Sequence, residues 1–574
     1  MSGDAARGLV PAGVGGVRGV RGEPNAARAL RAWQAPATVV AALDLGVLGD
    51  VLMRAPGPPA LNFLLWTLAL AATVTVIARR REPLSREATL LLSAAVFFAA
   101  AMVWRDSPAL KLLDFACVAT MMALLAFRRG EAWVRAAGVA RYLWALVASG
   151  LSGAFGAFGL VADVDWRREL ADMPGVAWRR RALALLRGLA ISLPILAVFA
   201  MLLSGADAVF SHLLARTFRF DLGVVVSHIV LTGFVAWVTS GYLRQLWAGE
   251  PTGVVPTMGG GVRPRLGIVE VGIPLGLLNL LFAAFVVVQV RYFFGGAASV
   301  QATAGLTYAE YARQGFFELV VVAALVLPLL LATDALLERR GPGDEWIFRS
   351  LALAQLALVF VIMASALQRM RLYQATYGLT ELRLYTTAFM CWIAGLSGWL
   401  AATVLAGRRR RFAFGALVSG AAAVVALNAL DPDALIARVN ADRAARGERY
   451  DPAYLAVLSG DAVPTLVRRL PALPAPQRCQ TARSLGRWWR HRRPQDWRAW
   501  NLGSARARAA MGELLRNDIG DPTCVWKTPS RSTSTSEEQG ATRTSDEERA
   551  TRTSDEHEHV NGQPRETAGT SPSR

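Results

Sequence analysis

FFELVVVAALVLPLLLATDALLERR occupies residues 316–340. Between Glu318 and Asp334 it carries no charge, and its apolar residues do not alternate with polar ones. At ~1.5 Å of rise per residue, a helix over 315–336 spans the ~30 Å hydrocarbon core of a bilayer. Arg339 and Arg340 follow directly, where a positive loop orients a span during insertion.

The same pattern recurs about twelve times between Ala35 and Leu430, in runs of about 17 to 25 residues that match a bilayer core. The candidate spans are 35–53, 61–78, 88–104, 109–127, 139–161, 183–203, 222–243, 267–290, 315–336, 349–367, 384–406 and 412–430. The first is the weakest, because Asp44 and Asp50 interrupt it. The chain has 574 residues, of which 53% are hydrophobic and 18% charged, and its mean hydropathy is +0.34. A water-soluble chain of this length carries more charge and breaks its apolar runs more often. Barrel strands read as short alternating segments, so helices are indicated instead. The expected fold is all-α: a polytopic membrane protein of about 11–12 transmembrane helices with a small helical soluble domain at its C-terminal side.

The formal net charge of +19 would suggest nucleic acid as partner in a soluble protein. Here the arginines gather at span ends (Arg79–Arg81, Arg128–Arg129, Arg339–Arg340, Arg408–Arg411), which fits orientation in a membrane and argues against nucleic-acid binding. The preference for Arg over Lys, with much Ala and Gly, points to a bacterial source of high GC content. No cleavable leader is evident in Met1–Arg31, so the first span is expected to direct insertion. The expected location is the bacterial cytoplasmic membrane, with the lipid bilayer as the first partner.

Charge parity gives an orientation. Placing the N-terminus and Arg408–Arg411 inside also puts 79–86, 128–141, 244–266 and 337–350 inside. The loop 162–182, with Arg167, Arg168 and Arg179–Arg181, asks for the same side. Both flanks of 139–161 therefore want the same face. Its glycines at 150, 153, 156 and 159 weaken a helix but permit close backbone approach. The preferred reading is that 139–161 re-enters or lies along the interface, giving eleven crossings, a cytoplasmic N-terminus and an extracytoplasmic C-terminal domain. Twelve crossings, with one loop breaking the charge rule, is the rival.

Four regions follow: a flexible basic arm (1–32), a transmembrane helical domain (33–430), a soluble helical domain (431–527) and a disordered tail (528–574). Asp431-Pro432 reads as an N-cap with proline in the first turn of a helix over 432–446, ending near Gly447. Short helices are expected at 452–458, 475–490 and 497–515. In the tail ATRTSDE occurs at 541–547 and again at 550–556, a low-complexity signature. Cys117 and Cys391 fall in apolar runs as packing residues. Cys479 and Cys524 could form a disulfide if their domain lies outside the cytoplasm.

No phosphate-cradling G-x-x-x-x-G-K-[ST] loop, H-E-x-x-H pair or G-x-S-x-G elbow is present. His557 and His559 alone are too few ligands for a metal. No catalytic residue, cofactor or metal is therefore expected, and the chain reads as a non-enzyme. What remains are ionisable residues in or beside the spans, which are expensive in hydrocarbon. Three loops supply them: SGADAVF with Asp207, TYAEYARQGFFE with Glu310, Arg313 and Glu318, and YGLTELRLY with Glu381 and Arg383. Under the parity reading all three share the outer side, where they would form a polar network. The competing reading is structural: tyrosines in the aromatic belt, Glu310 and Arg313 paired three apart on one helix, Asp207 capping a turn. His228 reads as a packed or interfacial histidine, Asn279 as an interhelical hydrogen bonder, and Asp114 and Asp334 as span-end residues facing headgroups or arginines.

TYAEYARQGFFELVV, YGLTELRLY, DPDALIARVNADR and DPAYLAVLSGDAVP together resemble a bacterial family of multi-spanning membrane proteins catalogued as a domain of unknown function, numbered four-one-seven-three. SGADAVF, with Asp207 and Phe210, and DWRAWNLGSARA (496–507) are similar to its elements. The resemblance covers roughly 180 to 520 and implies the plan of spans plus soluble domain, but no activity. Two functions stay open. One is a non-enzymatic sensing, assembly or interaction protein of the cell envelope, with a protein or small-molecule partner. The other is a secondary transporter with Asp207, Glu318 and Arg383 near a substrate path.

Overall fold

The computed structural model describes residues 34–79, 83–126, 133–163, 222–248, 265–294, 316–455, 457–491 and 496–516, with a few isolated positions between 185 and 203. Those residues are almost entirely helical, and the one β-type contact is an isolated bridge between Leu266 and Leu337. The membrane part comprises α1 (Gln34–Met53), α2 (Leu61–Arg79), α3 (Arg86–Trp104), α4 (Pro108–Ala126), the short α5 (Trp133–Ala136), α6 (Val139–Asp163), α7 (Leu222–Ala248), α8 (Ile268–Phe294), α9 (Phe316–Leu336), α10 (Pro342–Tyr377), α11 (Glu381–Leu400, continued by a π turn over Ala401–Leu405) and α12 (Arg410–Leu430). All but α5 are long and apolar enough to cross a membrane, which makes eleven among the described residues. This is a multi-pass membrane protein.

Local chemistry sets the helix ends. Ser85 caps α3, its hydroxyl accepting from the Ala88 amide, and Thr380 caps α11 in the same way from Arg383. Gly378, at φ 79°, closes α10 where a side chain would strain the backbone. Pro274 and Pro328 sit inside α8 and α9. Neighbouring helices make such prolines tolerable within a bilayer.

Two apolar clusters fill the bundle. One joins α2, α3, α4, α6 and α7 around Val74, Ala95, Leu124 and Leu243. The other joins α8 to α12 around Leu275, Leu330, Val359 and Leu400. α10 runs over 36 residues, well beyond the expected 349–367, so that at ~1.5 Å per residue it outreaches the hydrocarbon at its ends.

The segment 139–161, expected to re-enter or lie along the interface, is helical throughout. It forms one continuous helix of 25 residues, α6, which runs in the same sense as α7 where the two touch, with Gly153 beside Val238, Gly156 beside Gly241 and Gly159 beside Arg244. Gly153 and Gly156 make the close approach to α7 anticipated of them, whereas a Cβ on Gly150 would meet nothing within 4 Å. A methyl on Gly156 would come within 2.8 Å of Gly241 Cα, and Trp237 of α7 donates to the Ala154 carbonyl at 2.8 Å. Small residues thus bring two backbones together, the geometry of paired spans. The expected span 183–203, the arm 1–32 and the tail 528–574 lie outside the described residues, apart from the isolated positions.

Beyond Leu430, among the described residues, five helices close one end of the bundle: α13 (Pro432–Ala445), α14 (Pro452–Leu455), α15 (Val463–Arg469), α16 (Ala475–His491) and α17 (Leu502–Arg516), with single 3-10 turns at Gly460–Ala462, Leu470–Ala472 and Trp497–Ala499. The expected cap is present: Asp431 accepts from the Ala434 amide at 3.3 Å, ahead of Pro432. Ile436, Leu458, Leu466 and Met511 form this part's own core. The 3-10 turns at 460–462 and 470–472 and α15 were not foreseen, because short polar-flanked turns carry little periodicity, and the helix expected over 497–515 begins as a 3-10 turn and restarts at Leu502. At this capped end the Leu61 amide donates to the Trp500 carbonyl at 3.3 Å, and Arg498 donates to the Val51 carbonyl. The opposite end carries Arg265, Arg339, Arg340 and Arg408–Arg411.

Candidate functional site

Four short segments meet where the C-terminal helices cap the bundle. The first is the three-residue turn Arg105-Asp106-Ser107 between α3 and α4, wholly buried. The second is the α12–α13 junction, with Asn428, Asp431 and Asp433. The third is Ser459-Gly460-Asp461, and the fourth is the start of α17, with Asn501, Gly503 and Ser504.

Two aspartates exchange hydrogen bonds across this seam. Asp461 Oδ2 accepts from the amides of Asp106 (2.7 Å) and Ser107 (3.1 Å). Asp106 Oδ2 in turn accepts from the Gly460 amide at 2.9 Å, and its Oδ1 from Asn501 Nδ2 at 3.1 Å. Asn501 Oδ1 completes the set by capping Ser504 at 2.7 Å. Glycine is required twice at this point. A methyl on Gly460 would lie 2.8 Å from Asp106 Oδ2, and one on Gly503 would land on Asp461 Oδ1 and 2.9 Å from the Asp106 nitrogen.

Cations balance the carboxylates. Arg105 pairs with Asp431 and donates to the Asn428 carbonyl at 2.8 Å, while Lys111 Nζ stands 3.7 Å from Asp106 Oδ1. Asn428 also reaches into the spans and donates to Asp114 Oδ1 at 2.9 Å. Burial pushes the Asp461 carboxyl up to about 6, helped by Asp431, while the Asp106 amide holds it down. Burial likewise pushes Asp433 up to about 7, with the Glu381 carboxylate adding repulsion and Ser459 opposing it. Asp433 Oδ1 meets no donor. Breaking one partner of such a buried, hydrogen-bonded set leaves an uncompensated charge, commonly a cost of about 3–5 kcal/mol.

A second, smaller joint lies beside it. Asn440 of α13 accepts from the Leu379 amide at 2.9 Å and donates to the Leu379 carbonyl at 2.8 Å, as a strand neighbour would. Arg443 donates to the Ala375 and Thr376 carbonyls at the end of α10. The Glu381 amide donates to Tyr454 Oη at 2.8 Å. The ends of α3, α10 and α12 and the starts of α4 and α11 are thereby fixed to one helical cap.

Of the residues singled out from sequence, Glu381 does belong to this seam, facing Asp433. Among the described residues Arg383 pairs with no carboxylate: it donates to the Gly378 carbonyl and stacks 4.1 Å over Tyr373. Glu318 is exposed on the first turn of α9. A cavity of about 180 Å³ between Phe316, Tyr373 and Arg383 adjoins that turn. Asp207, Glu310 and Arg313 lie outside the described residues, as does Cys524. Cys479 is disulfide-bonded, whereas Cys117 and Cys391 are free thiols.

Other expectations resolve in detail. Asp334 does meet arginines, Arg339 at 2.6 Å and Arg409 at 3.0 Å. Asp114 is instead fully buried against Asn428, because it points across to α12 and not along its own helix end. Asn279 makes the interhelical bond foreseen, to the Leu351 carbonyl at 2.9 Å. His228 of α7 pairs with Asp50 of α1, which Arg54 also holds at 2.7 Å. Asp50 thus explains the polar interruption of the first span. Arg105, Asp106, Asp461 and Asn501 were missed, since each is an ordinary loop residue until the four segments are brought together. Their signal was present in LSGDAVP and WNLGSA, where glycine adjoins or nearly adjoins a side chain that bonds the backbone.

A cavity of about 500 Å³ lies between α4, α11 and α12. Its walls are Leu113, Met121, Phe389, Leu417, Val424 and similar residues, with Tyr385 at the rim of the seam. Among the described residues no three His, Cys, Asp or Glu side chains are placed to hold a metal ion.

A family model described as "Domain of unknown function (DUF4153)" matches residues 92–469, well over half of the chain. The resemblance read from the motifs stands as one to an uncharacterised family, although the matching model bears a different number from four-one-seven-three. It takes in all of the seam except Asn501, Gly503 and Ser504. No curated protein and no solved structure matches the chain.

Proposed function

Because this chain belongs to that family of unknown function, we propose its role from geometry: a non-enzymatic sensing, assembly or interaction protein of the bacterial cell envelope. In it the C-terminal helices relay or present what the spans do. The observation that carries this reading is the reciprocal Asp106–Asp461 lock. It joins the α3–α4 turn to the cap through charge-assisted hydrogen bonds, which are roughly twice as strong as neutral ones. A cap held this firmly moves with the spans. The parity of arginine-rich loops supports a cytoplasmic N-terminus and an extracytoplasmic cap.

The transporter alternative asks for broken helices and polar groups near the midplane. The seam's polar groups gather at one end, and the cavity inside the spans has apolar walls. That favours the first reading. Two measurements on the full chain separate them. Native gel electrophoresis after mild extraction from the source membrane should give an assembly larger than the chain, lost when Gly503→Ala loosens the cap. Proteoliposomes carrying a pH-sensitive dye should leak protons no faster than empty vesicles. A flux abolished by Glu381→Gln, or migration only as the lone chain, would overturn the proposal.

A further inference from the structure

At the arginine-rich end, away from the seam, a cavity of about 880 Å³ opens between α6, α9 and α12. Arg265, Arg339, Arg409 and Arg410 stand on its lining, against two carboxylates, Asp334 and Glu338. Asp334 is shared by Arg339 and Arg409, at 2.6 and 3.0 Å, and Glu338 takes Arg265 loosely at 3.8 Å. Glu345, beside the lining, also pairs with Arg339 and stands 4.0 Å from Arg409, so four guanidinium groups face three carboxylates and leave an excess of one positive charge. The side chains of Arg265 (71% exposed) and Arg409 (40% exposed) remain open to a ligand. Below the charged rim the lining turns apolar, with Leu143 of α6 and Leu331 of α9.

We infer that this cavity binds the headgroup of an anionic phospholipid. Guanidinium groups match phosphate oxygens in a bidentate fork, and basic pockets between spans suit anionic headgroups. The apolar wall beneath the rim decides between a lipid and a free phosphate compound: an acyl chain can follow α6 and α9 into the bilayer, which a soluble anion cannot use. The inference stands whether the chain assembles partners or transports.

Native mass spectrometry of the full chain in neutral detergent tests it, with phosphatidylglycerol, phosphatidylcholine and inorganic phosphate as probes. Phosphatidylglycerol should stay bound under conditions that strip phosphatidylcholine, and inorganic phosphate at equal concentration should not displace it. Arg265→Gln with Arg410→Gln should weaken retention roughly 30-fold, at about fivefold per lost charge. Gly138→Trp gives a second variant that keeps every arginine: Gly138 lines the cavity and a Cβ there meets nothing within 4 Å. It should block the site sterically. Equal retention of both lipids, displacement by phosphate, or unchanged retention in both variants would overturn the assignment.

Discussion

Replacing Gly503 by alanine should unlock the C-terminal helices from the spans. Alanine favours a helix interior over glycine by up to about 1 kcal/mol, so propensity alone argues for a gain. Packing argues the reverse more strongly. The new methyl would land on Asp461 Oδ1, 2.9 Å from the Asp106 nitrogen and 3.0 Å from Asp106 Cβ. Two of these neighbours belong to a buried turn and the third to a bonded carboxylate, so none can swing aside as a long side chain would. Overpacking of this kind costs about 1–3 kcal/mol. Displacing Asp461 also weakens its two amide bonds, worth about 1.5–3 kcal/mol each as bonds to a charged group. After the propensity gain the net loss is on the order of 2–4 kcal/mol, a roughly 30- to 1000-fold rise in the open fraction. Gly512, on the same helix, is the internal control, because a methyl there meets nothing within 4 Å. Gly512→Ala should stabilise by about 0.5–1 kcal/mol. Limited trypsin digestion of the full chain in detergent reads the difference, since cleavage tracks the open population when reclosing is fast. Should both alanine variants digest at the wild-type rate, the lock as described here does not exist.

Asp433 gives a pH-dependent test. Its folded carboxyl is pushed up to about 7 from an ordinary 3.8, so the folded chain holds that proton more tightly than the unfolded one. The associated stability is present at low pH and is lost as pH rises through about 7. Asp433→Asn should therefore be the more stable protein at pH 8. Its advantage should shrink by on the order of 2–3 kcal/mol by pH 5, at about 1.4 kcal/mol per unit. A difference between the two proteins that is flat across this range in thermal scans contradicts the assignment. For the cysteines, peptide mapping without reductant should find Cys479 joined to Cys524. Alkylation of both by N-ethylmaleimide in intact membranes would count against the pair and against an extracytoplasmic cap.

The sequence by itself settled that this is a helical, multi-pass membrane protein. Runs such as 316–336 leave no other means of satisfying their backbone in hydrocarbon. It also settled the start of the cap, because Asp431-Pro432 is a local signal: both residues act on their own helix within one turn. The glycines of 139–161 announced close packing, yet their partner Gly241 became visible only once α6 lay against α7. The seam was illegible for a related reason. Asp106, Asp431, Asp461 and Asn501 are scattered over almost four hundred residues, and nothing in the composition around any one of them marks it as buried. Only the tertiary fold sets Asp106 and Asp461 facing each other, removes the water around them and turns two ordinary glycines, Gly460 and Gly503, into positions that tolerate no side chain. Burial and mutual distance are properties of the assembled chain, and they make this cluster of common loop residues a joint.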